Sequence, residues 1–204
     1  KLGENSTNKN VIFLNLKKLL DEGFVKRHPT HDVAVIQIGI FHSVSTNSNA
    51  YQIAVSTDDV GILDGSTLDS FGASDLCRDF KDIKDGSETY IFGYPVELLK
   101  NQNQPEVDFS YPLIRKGIIS QRNQKTGKLI IDSGVYGGNS GGPVVIVEHP
   151  SFGSTAFKLG GLITQFVPVT TKIAPQIGVT NSDLVNSGYS VAEPIDYALE
   201  LIRQ

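Results

Sequence analysis

The sequence predicts a mostly β fold with a helix at its C-terminus, and two patterns carry that expectation. Short apolar stretches recur along the chain, separated by Gly, Asn, Asp and Pro. Many short strands at such spacing point to a sandwich or a barrel. Near the C-terminus the period changes. Ile195, Ala198, Leu199 and Ile202 fall at i, i+3, i+4 and i+7, which places them on one face of a helix, and Pro194 suits its first turn. A chain of 204 residues can bury one sizeable core or two small ones.

Taken in order, strands are expected over 11–16, 33–40, 51–55, 89–92, 114–120, 129–132, 143–147 and 158–164, each a β-branched or otherwise apolar run. A short helix is expected within 76–83. The polar stretch 43–50 reads as a hairpin loop, and 101–110 and 170–188 read as long surface loops.

Composition narrows the function classes. Hydrophobic content of 39% and charged content of 20% are ordinary for a globular protein. A net charge of −4, with no basic cluster interleaved with aromatics, argues against nucleic-acid binding. No apolar run approaches the ~18 residues that span a bilayer, so no membrane partner is expected. Cys77 is the only cysteine, so no internal disulfide is possible. That favours a reducing compartment such as the cytoplasm, or a bacterial protein. Nothing near Cys77 suggests a base, and a buried apolar role is its default. No phosphate-cradling glycine run follows a strand, so no nucleotide is expected. His28-x-x-His31 is the only histidine pair at ligand-like spacing, and it lacks a cysteine, so no metal or other cofactor is expected.

The chemistry concentrates in Gly138-Asn139-Ser140-Gly141-Gly142-Pro143. A serine hydroxyl is a weak nucleophile at neutral pH. It needs a base beside it and backbone N–H groups facing the oxyanion it creates. Glycines on both sides of Ser140 allow a tight turn in which the N–H groups of Gly138 and Ser140 form an oxyanion hole. Gly138-x-Ser140-x-Gly142 also fits the nucleophile-elbow pattern G-x-S-x-G, but that elbow needs a helix directly after the serine. Here Gly-Gly-Pro and then Val144-Val145-Ile146-Val147 follow, which reads as a strand. A second signal is Asp32, at the mouth of the apolar run Val33-Ala34-Val35-Ile36. A carboxylate entering a buried strand is costly unless paired. In a Ser-His-Asp triad such a carboxylate orients the imidazole.

Together these segments resemble the trypsin/chymotrypsin-like serine peptidases, in their bacterial trypsin-like form. The nucleophile run and Asp32-Val33-Ala34-Val35-Ile36 carry the resemblance most specifically, with the acid before the serine as in that family. Gly93-Tyr94-Pro95, Arg115-Lys116-Gly117-Ile118-Ile119-Ser120, Leu159-Gly160-Gly161-Leu162-Ile163-Thr164 and Ser190-Val191-Ala192-Glu193-Pro194-Ile195 add weaker matches, so the likeness runs from about residue 24 to the C-terminus. It implies a trypsin-like double β-barrel with an incomplete first barrel and a C-terminal α-helix. The chain would be one peptidase domain: 1–88 a partial first barrel and linker, 89–190 the second barrel, 191–204 the helix. It implies a serine endopeptidase that forms an acyl-enzyme on Ser140, with Asp32 as triad acid and a polypeptide as substrate.

One part of the family pattern is missing. The catalytic histidine should precede the acid by several strands, in a Thr-x-x-His type segment. Only 31 residues precede Asp32, and none forms that segment. His31 is adjacent to Asp32, and neighbouring strand side chains point to opposite faces. His28 reads as lying in an exposed turn, His42 at the far end of the Asp32 strand, and His149 at the end of the strand after the nucleophile. The chain begins at Lys1 and contains no methionine, so it reads as a piece of a longer protein, with the histidine upstream of Lys1. Partners would then include that N-terminal segment or appended domains. The alternative is a pseudopeptidase without the base, which binds a peptide as an added strand along 161–164.

The resemblance also places a substrate side-chain pocket. Gly134 and Val135, six and five residues before Ser140, would form its floor, with Tyr136 and Thr164 as walls. Gly134 has no carboxylate to pair with Arg or Lys, and Asp132 lies two residues away, so uncharged residues are expected there. Asn139 stands where zymogens of the family carry an Asp that receives a new N-terminus, so that activation route is not expected.

Overall fold

The structure is a computed structural model and describes residues 12–43, 51–55, 60–62, 72–96, 108, 111–172 and 182–204. Its centre is a closed antiparallel barrel of six strands. These are β7 (Glu88–Gly93), β8 (Leu113–Asn123), β9 (Lys128–Asp132), β10 (Pro143–Glu148), β11 (Ala156–Lys172) and β12 (Ser182–Pro194). Around the barrel they run β10-β11-β12-β9-β8-β7, and β7 pairs with β10 to close it. Inward and outward positions alternate along β7, β9 and β10, as a half-buried strand requires. Ile91, Ile119, Leu129, Ile131, Val144, Ile146 and Ile163 fill the interior, and Ile83 packs with them.

Bulges bend the strands around the barrel. Val144 faces Gly161 while Val145 faces Leu159, which leaves Gly160 as the extra residue. Further register shifts occur in β11 opposite β12 and in β8 opposite β9. Such bulges sharpen the local twist and are frequent at barrel rims and beside active sites.

The N-terminal half is built from strand pairs. β1 (Ile12–Leu14) pairs with β6 (Val60–Ile62), β2 (Val25–Arg27) with β3 (Ala34–Ile36), and β4 (Gly39–Ser43) with β5 (Tyr51–Val55). No second closed barrel occurs among the described residues. The 43–50 and 101–110 loops lie almost wholly outside the described residues, although β4 and β5 pair antiparallel on either side of the first.

Three expectations are corrected. The run 11–16 does not remain a strand: β1 ends at Leu14 and α1 (Leu16–Asp21) begins, with the Asn15 side chain accepting the Lys18 N–H at 3.4 Å as an N-cap. The stretch 170–188 is not simply a loop. β11 extends to Lys172 and β12 starts at Ser182, pairing Lys172 with Ser182 in a long hairpin. The expected helix within 76–83 is split, as α2 (Ala73–Leu76) and a 3-10 turn at Phe80–Asp82.

The C-terminal helix is present but shorter than the expected 191–204: residues 191–194, Pro194 included, end β12, and the helix is α3 (Asp196–Arg203). Its docked stripe is Ile195, Ala198 and Leu201 with Leu199 beside them, whereas Ile202 is exposed. The stripe shifts because Val33 and Val35 of the β2–β3 pair share its cluster, and Leu201 faces that pair. This cluster joins the N-terminal half to the barrel. Hydrogen bonds reinforce the joint: the Phe80 N–H donates to Asp196 at 2.9 Å, and Lys26 Nζ donates to the Leu201 carbonyl at 3.4 Å. Among the described residues no helix is long and apolar enough to cross a membrane.

Candidate functional site around Ser140

The serine loop lies between β9 and β10 and folds against the end of β7. Val96 donates its N–H to the Gly137 carbonyl at 2.8 Å, tying the loop to the segment after β7. Gly138 adopts φ +96°, and a Cβ there would stand 2.2 Å from the Tyr94 carbonyl oxygen. Gly142 is as tightly held, since a Cβ would stand 2.1 Å from the Phe92 carbonyl oxygen. Both positions therefore require glycine. Gly138→Ala is expected to cost roughly 1–3 kcal/mol in urea unfolding, because the loop must leave a conformation closed to an L side chain. A stability equal to the parent would mean the loop is not held in this shape.

The N–H groups of this loop divide into two sets. Asn139 donates to Tyr136 O at 3.0 Å, Gly141 to Ile163 O at 2.7 Å and Gly142 to Asn139 O at 2.9 Å. The N–H groups of Gly138 and Ser140 have no acceptor among the described residues. These are the two donors that the sequence assigns to the oxyanion hole. Backbone donors held by a fixed loop and left unspent can stabilise a negative oxygen without reorganising. Asn139 is only 2% exposed, and its Oδ1 lies buried without a hydrogen-bond partner. A Cβ at Gly93 would stand 2.5 Å from that oxygen, so Gly93 of the Gly93-Tyr94-Pro95 turn makes room for it.

Ser140 itself is exposed, and its Oγ donates to the Thr164 carbonyl at 3.0 Å. That bond fixes the hydroxyl at the edge of β11 but occupies its proton. A peptide carbonyl cannot take the proton away, so this arrangement orients Ser140 without activating it. The Thr164 hydroxyl donates to Val191 O at 3.3 Å.

Asp32 sits in the turn before β3, exposed, beside the buried Val33 that packs on α3. Among the described residues it has no hydrogen-bond partner, and the structure places no imidazole against it. The neighbouring His31 turns to the barrel, where its Nδ1 lies 3.0 Å from Glu193 Oε2 and its ring stacks on Tyr197 at 3.5 Å between centroids. His28 is not an exposed turn residue as expected. Its side chain is 10% exposed, its ring meets His31 edge-on at 4.8 Å, and its Nε2 lies 3.3 Å from Glu200. His149 is a surface residue of the turn after β10, with Nδ1 3.4 Å from the Ser154 carbonyl. The His42 side chain is outside the described residues. None of the three described imidazoles is bonded to Ser140.

The expected pocket residues divide as well. Val135 is corrected: its side chain is buried in the barrel core, so it cannot line a pocket floor. Its carbonyl instead accepts from Asn186 Nδ2, while Asn186 Oδ1 accepts the Gly188 N–H at 2.9 Å. Asn186 thus clamps the segment before the serine to β12. Gly134 is half-buried beside Gly188, with room for a Cβ 3.8 Å from the Gly188 Cα. Tyr136 is exposed, and the Arg115 guanidinium lies over its ring at 4.8 Å. Asp132 ends β9, exposed, opposite Tyr189 and Ile118.

Sequence reasoning missed Glu193. This carboxylate is 0% exposed and bridges His31 to Lys128, whose Nζ lies 2.8 Å from Oε1. Burial, with Glu193 and Glu200 close by, raises the Tyr197 phenol above its ordinary pKa. Cys77 packs half-buried against the α3 cluster. Burial first, then Asp79 and Asp196, pushes its thiol up, which makes it a poorer nucleophile still. Among the described residues no group of three or more His, Cys, Asp or Glu is placed to hold a metal ion.

No protein-family model matches this chain, and no curated protein sequence matches it.

Proposed function

We propose that this chain is the nucleophile-bearing part of a trypsin-like serine endopeptidase with a double β-barrel. The single observation that carries the reading is the loop at Ser140. An exposed hydroxyl shares its loop with two unspent backbone N–H groups, those of Gly138 and Ser140, and Gly138 and Gly142 cannot be replaced without a clash.

In this reading Ser140 Oγ attacks the scissile carbonyl carbon. Its proton passes to an imidazole supplied from outside this chain, and the carbonyl oxygen becomes an anion held by the two N–H groups. The C–N bond then breaks, and the imidazole returns the proton to the leaving amine. Water hydrolyses the acyl-enzyme by the same steps. Asp32 orients the imidazole and stabilises its charged form. Its exposure at the mouth of β3, with no partner among the described residues, leaves it free for that role. The incoming imidazole must also draw the Ser140 hydroxyl away from the Thr164 carbonyl.

One observation favours the second reading, a pseudopeptidase that binds peptides along β11. No described imidazole is near enough to bond Ser140, and its proton is already committed. A fluorophosphonate probe separates the two. The 204-residue chain is expected to label slowly at Ser140, since only the oxyanion hole and binding remain, worth roughly 10³–10⁴ over water. A longer form that adds an upstream histidine is expected to label rapidly. Rapid labelling of the 204-residue chain would reveal a base among its own residues. Slow labelling of every longer form would leave the binding reading.

A further inference from the structure

The turn that carries Asp32 is built on an imidazole. The His28 N–H donates to the Val33 carbonyl at 2.9 Å and the Val33 N–H to the His31 carbonyl at 2.8 Å, which folds residues 28–33 back on themselves. Pro29 has no N–H to offer. The next two backbone donors, those of Thr30 and His31, both reach one atom, His28 Nδ1, at 3.3 and 3.1 Å. A backbone N–H can only donate, so Nδ1 carries no proton in this turn. The proton of the neutral ring is then on Nε2, which donates to Glu200 Oε2 at 3.3 Å.

We propose that protonation of His28 opens the 28–33 turn, so that mildly acidic pH frees the segment carrying Asp32. An imidazolium has donors on both nitrogens. A protonated Nδ1 would face the N–H groups of Thr30 and His31 donor to donor, and both bonds are lost. The arrangement is otherwise that of an Asn or Asp side chain accepting from N–H groups two and three residues on. The difference is that an imidazole nitrogen gives up its lone pair to a proton between pH 8 and 5, roughly, and an Asn oxygen does not.

The groups around His28 set the direction. Glu200 of α3, at Nε2, favours the charged ring, although its side chain is 55% exposed and water screens the attraction. Tyr197 of α3 lies 5.2 Å away between ring centroids and stays neutral, since burial, then Glu193, Glu200 and Asp196, raises its phenol. His31 meets the ring edge-on at 4.8 Å, and its own Nδ1 lies at the buried Glu193 of β12, which Lys128 of β9 also reaches. A charge on His31 would repel one on His28. Arg27, exposed at the end of β2, and Asp32, exposed in the turn, are the nearest charged residues in sequence. The charged His28 ring can keep Glu200 only by giving up the two backbone donors, and the turn opens there. Nothing in this step depends on Ser140. On the peptidase reading it makes the position of the triad acid depend on pH.

Imidazole nitrogen resonances and amide hydrogen exchange of the 204-residue chain test this. As the pH is lowered from about 8 to about 5, His28 Nδ1 is expected to change from an acceptor to a protonated nitrogen. Over the same interval the protection of the Thr30 and His31 N–H groups, taken relative to an unstructured chain at each pH, is expected to fall by about 10-fold or more. Protection of the Ile163 N–H, bonded to the Gly142 carbonyl at 2.9 Å in the barrel, is expected to hold. His28→Asn keeps an acceptor that does not titrate, so its Thr30 and His31 protection is expected to be the same at both ends of the range. The parent chain alone decides the matter if that variant does not fold. A His28 ring that stays neutral to about pH 5 overturns the inference. So does protection that is unchanged while the ring protonates, or an equal fall in His28→Asn. A parallel loss at Ile163 also overturns it, because acid would then be unfolding the whole chain. None of these outcomes touches the peptidase reading, which the fluorophosphonate probe decides separately.

Discussion

Replacing Glu193 by Ala is expected to destabilise the fold by about 3–5 kcal/mol, measured by urea unfolding. The carboxylate is fully buried and bridges two nitrogens from different parts of the chain. Lys128 Nζ on β9 lies 2.8 Å from one oxygen, and His31 Nδ1 in the turn before β3 lies 3.0 Å from the other. Removing it leaves Lys128 Nζ and His31 Nδ1 without the carboxylate they share. A second consequence follows from the position of His31. Its ring is stacked on Tyr197 and its nitrogen is anchored by Glu193, so this carboxylate is one of the ties, beside Val33 in the α3 cluster and His28 at Glu200, that hold the turn carrying Asp32. The variant is therefore expected to expose the backbone amides of the 28–33 turn to hydrogen exchange. Glu148→Ala provides the contrast. Its pair with Arg78 is partly solvated, and its loss is expected to cost about 1 kcal/mol or less. A loss below 1 kcal/mol for Glu193→Ala would mean that the bridge does not join the two halves.

The barrel was legible in the sequence because its strands alternate. Thr89, Ile91 and Gly93, then Leu129 and Ile131, then Val144 and Ile146 all turn inward, and every second residue marks the face. The 170–188 hairpin was not legible. Thr170, Thr171, Ser182 and Asp183 have no apolar period to read, and the paired backbone of β11 and β12 carries the structure there. The first helix was hidden by its own leucines: Leu16, Leu19 and Leu20 extend the apolar run of β1, and only the Asn15 cap marks the change. At the site, the loop around Ser140 could be read from its glycines, because Gly138 and Gly142 mark close approaches of backbone and Gly141 a positive φ. The role of Val135 could not, since a valine five residues before the serine fits a pocket wall and a core equally well. Glu193 shows a missed use of sound physics. A carboxylate in a buried strand needs a partner, whereas Asp32 is exposed and needs none. Glu193, within Val191-Ala192-Glu193-Pro194-Ile195, is the carboxylate that needs one, because its burial is complete. The partner could not be named from sequence because His31 is 162 residues away in the chain.

On the peptidase reading, Asp32→Asn is expected to lower turnover of any form in which an added segment supplies the histidine by about 10⁴ while leaving the fold intact. The structure makes this a sharp separation. Asp32 is exposed and has no hydrogen-bond partner among the described residues, so an Asn of nearly equal size removes no contact that holds the fold. Its stability is expected to stay within about 0.5 kcal/mol of the parent. Chemistry responds differently. A carboxylate accepts the imidazole N–H and fixes the tautomer whose other nitrogen takes the serine proton. An amide can present its NH₂ instead, which favours the tautomer that cannot act as base, and it brings no charge to balance the imidazolium. Ser140→Ala should abolish acylation altogether, again within about 1 kcal/mol of parental stability, because the hydroxyl is exposed and only its bond to the Thr164 carbonyl is lost. Turnover and urea unfolding measured on the same preparations check both. A turn residue with no role in the reaction would move neither quantity, and a merely structural one would move both. Turnover near the parental level in either variant would therefore remove Asp32 or Ser140 from the triad.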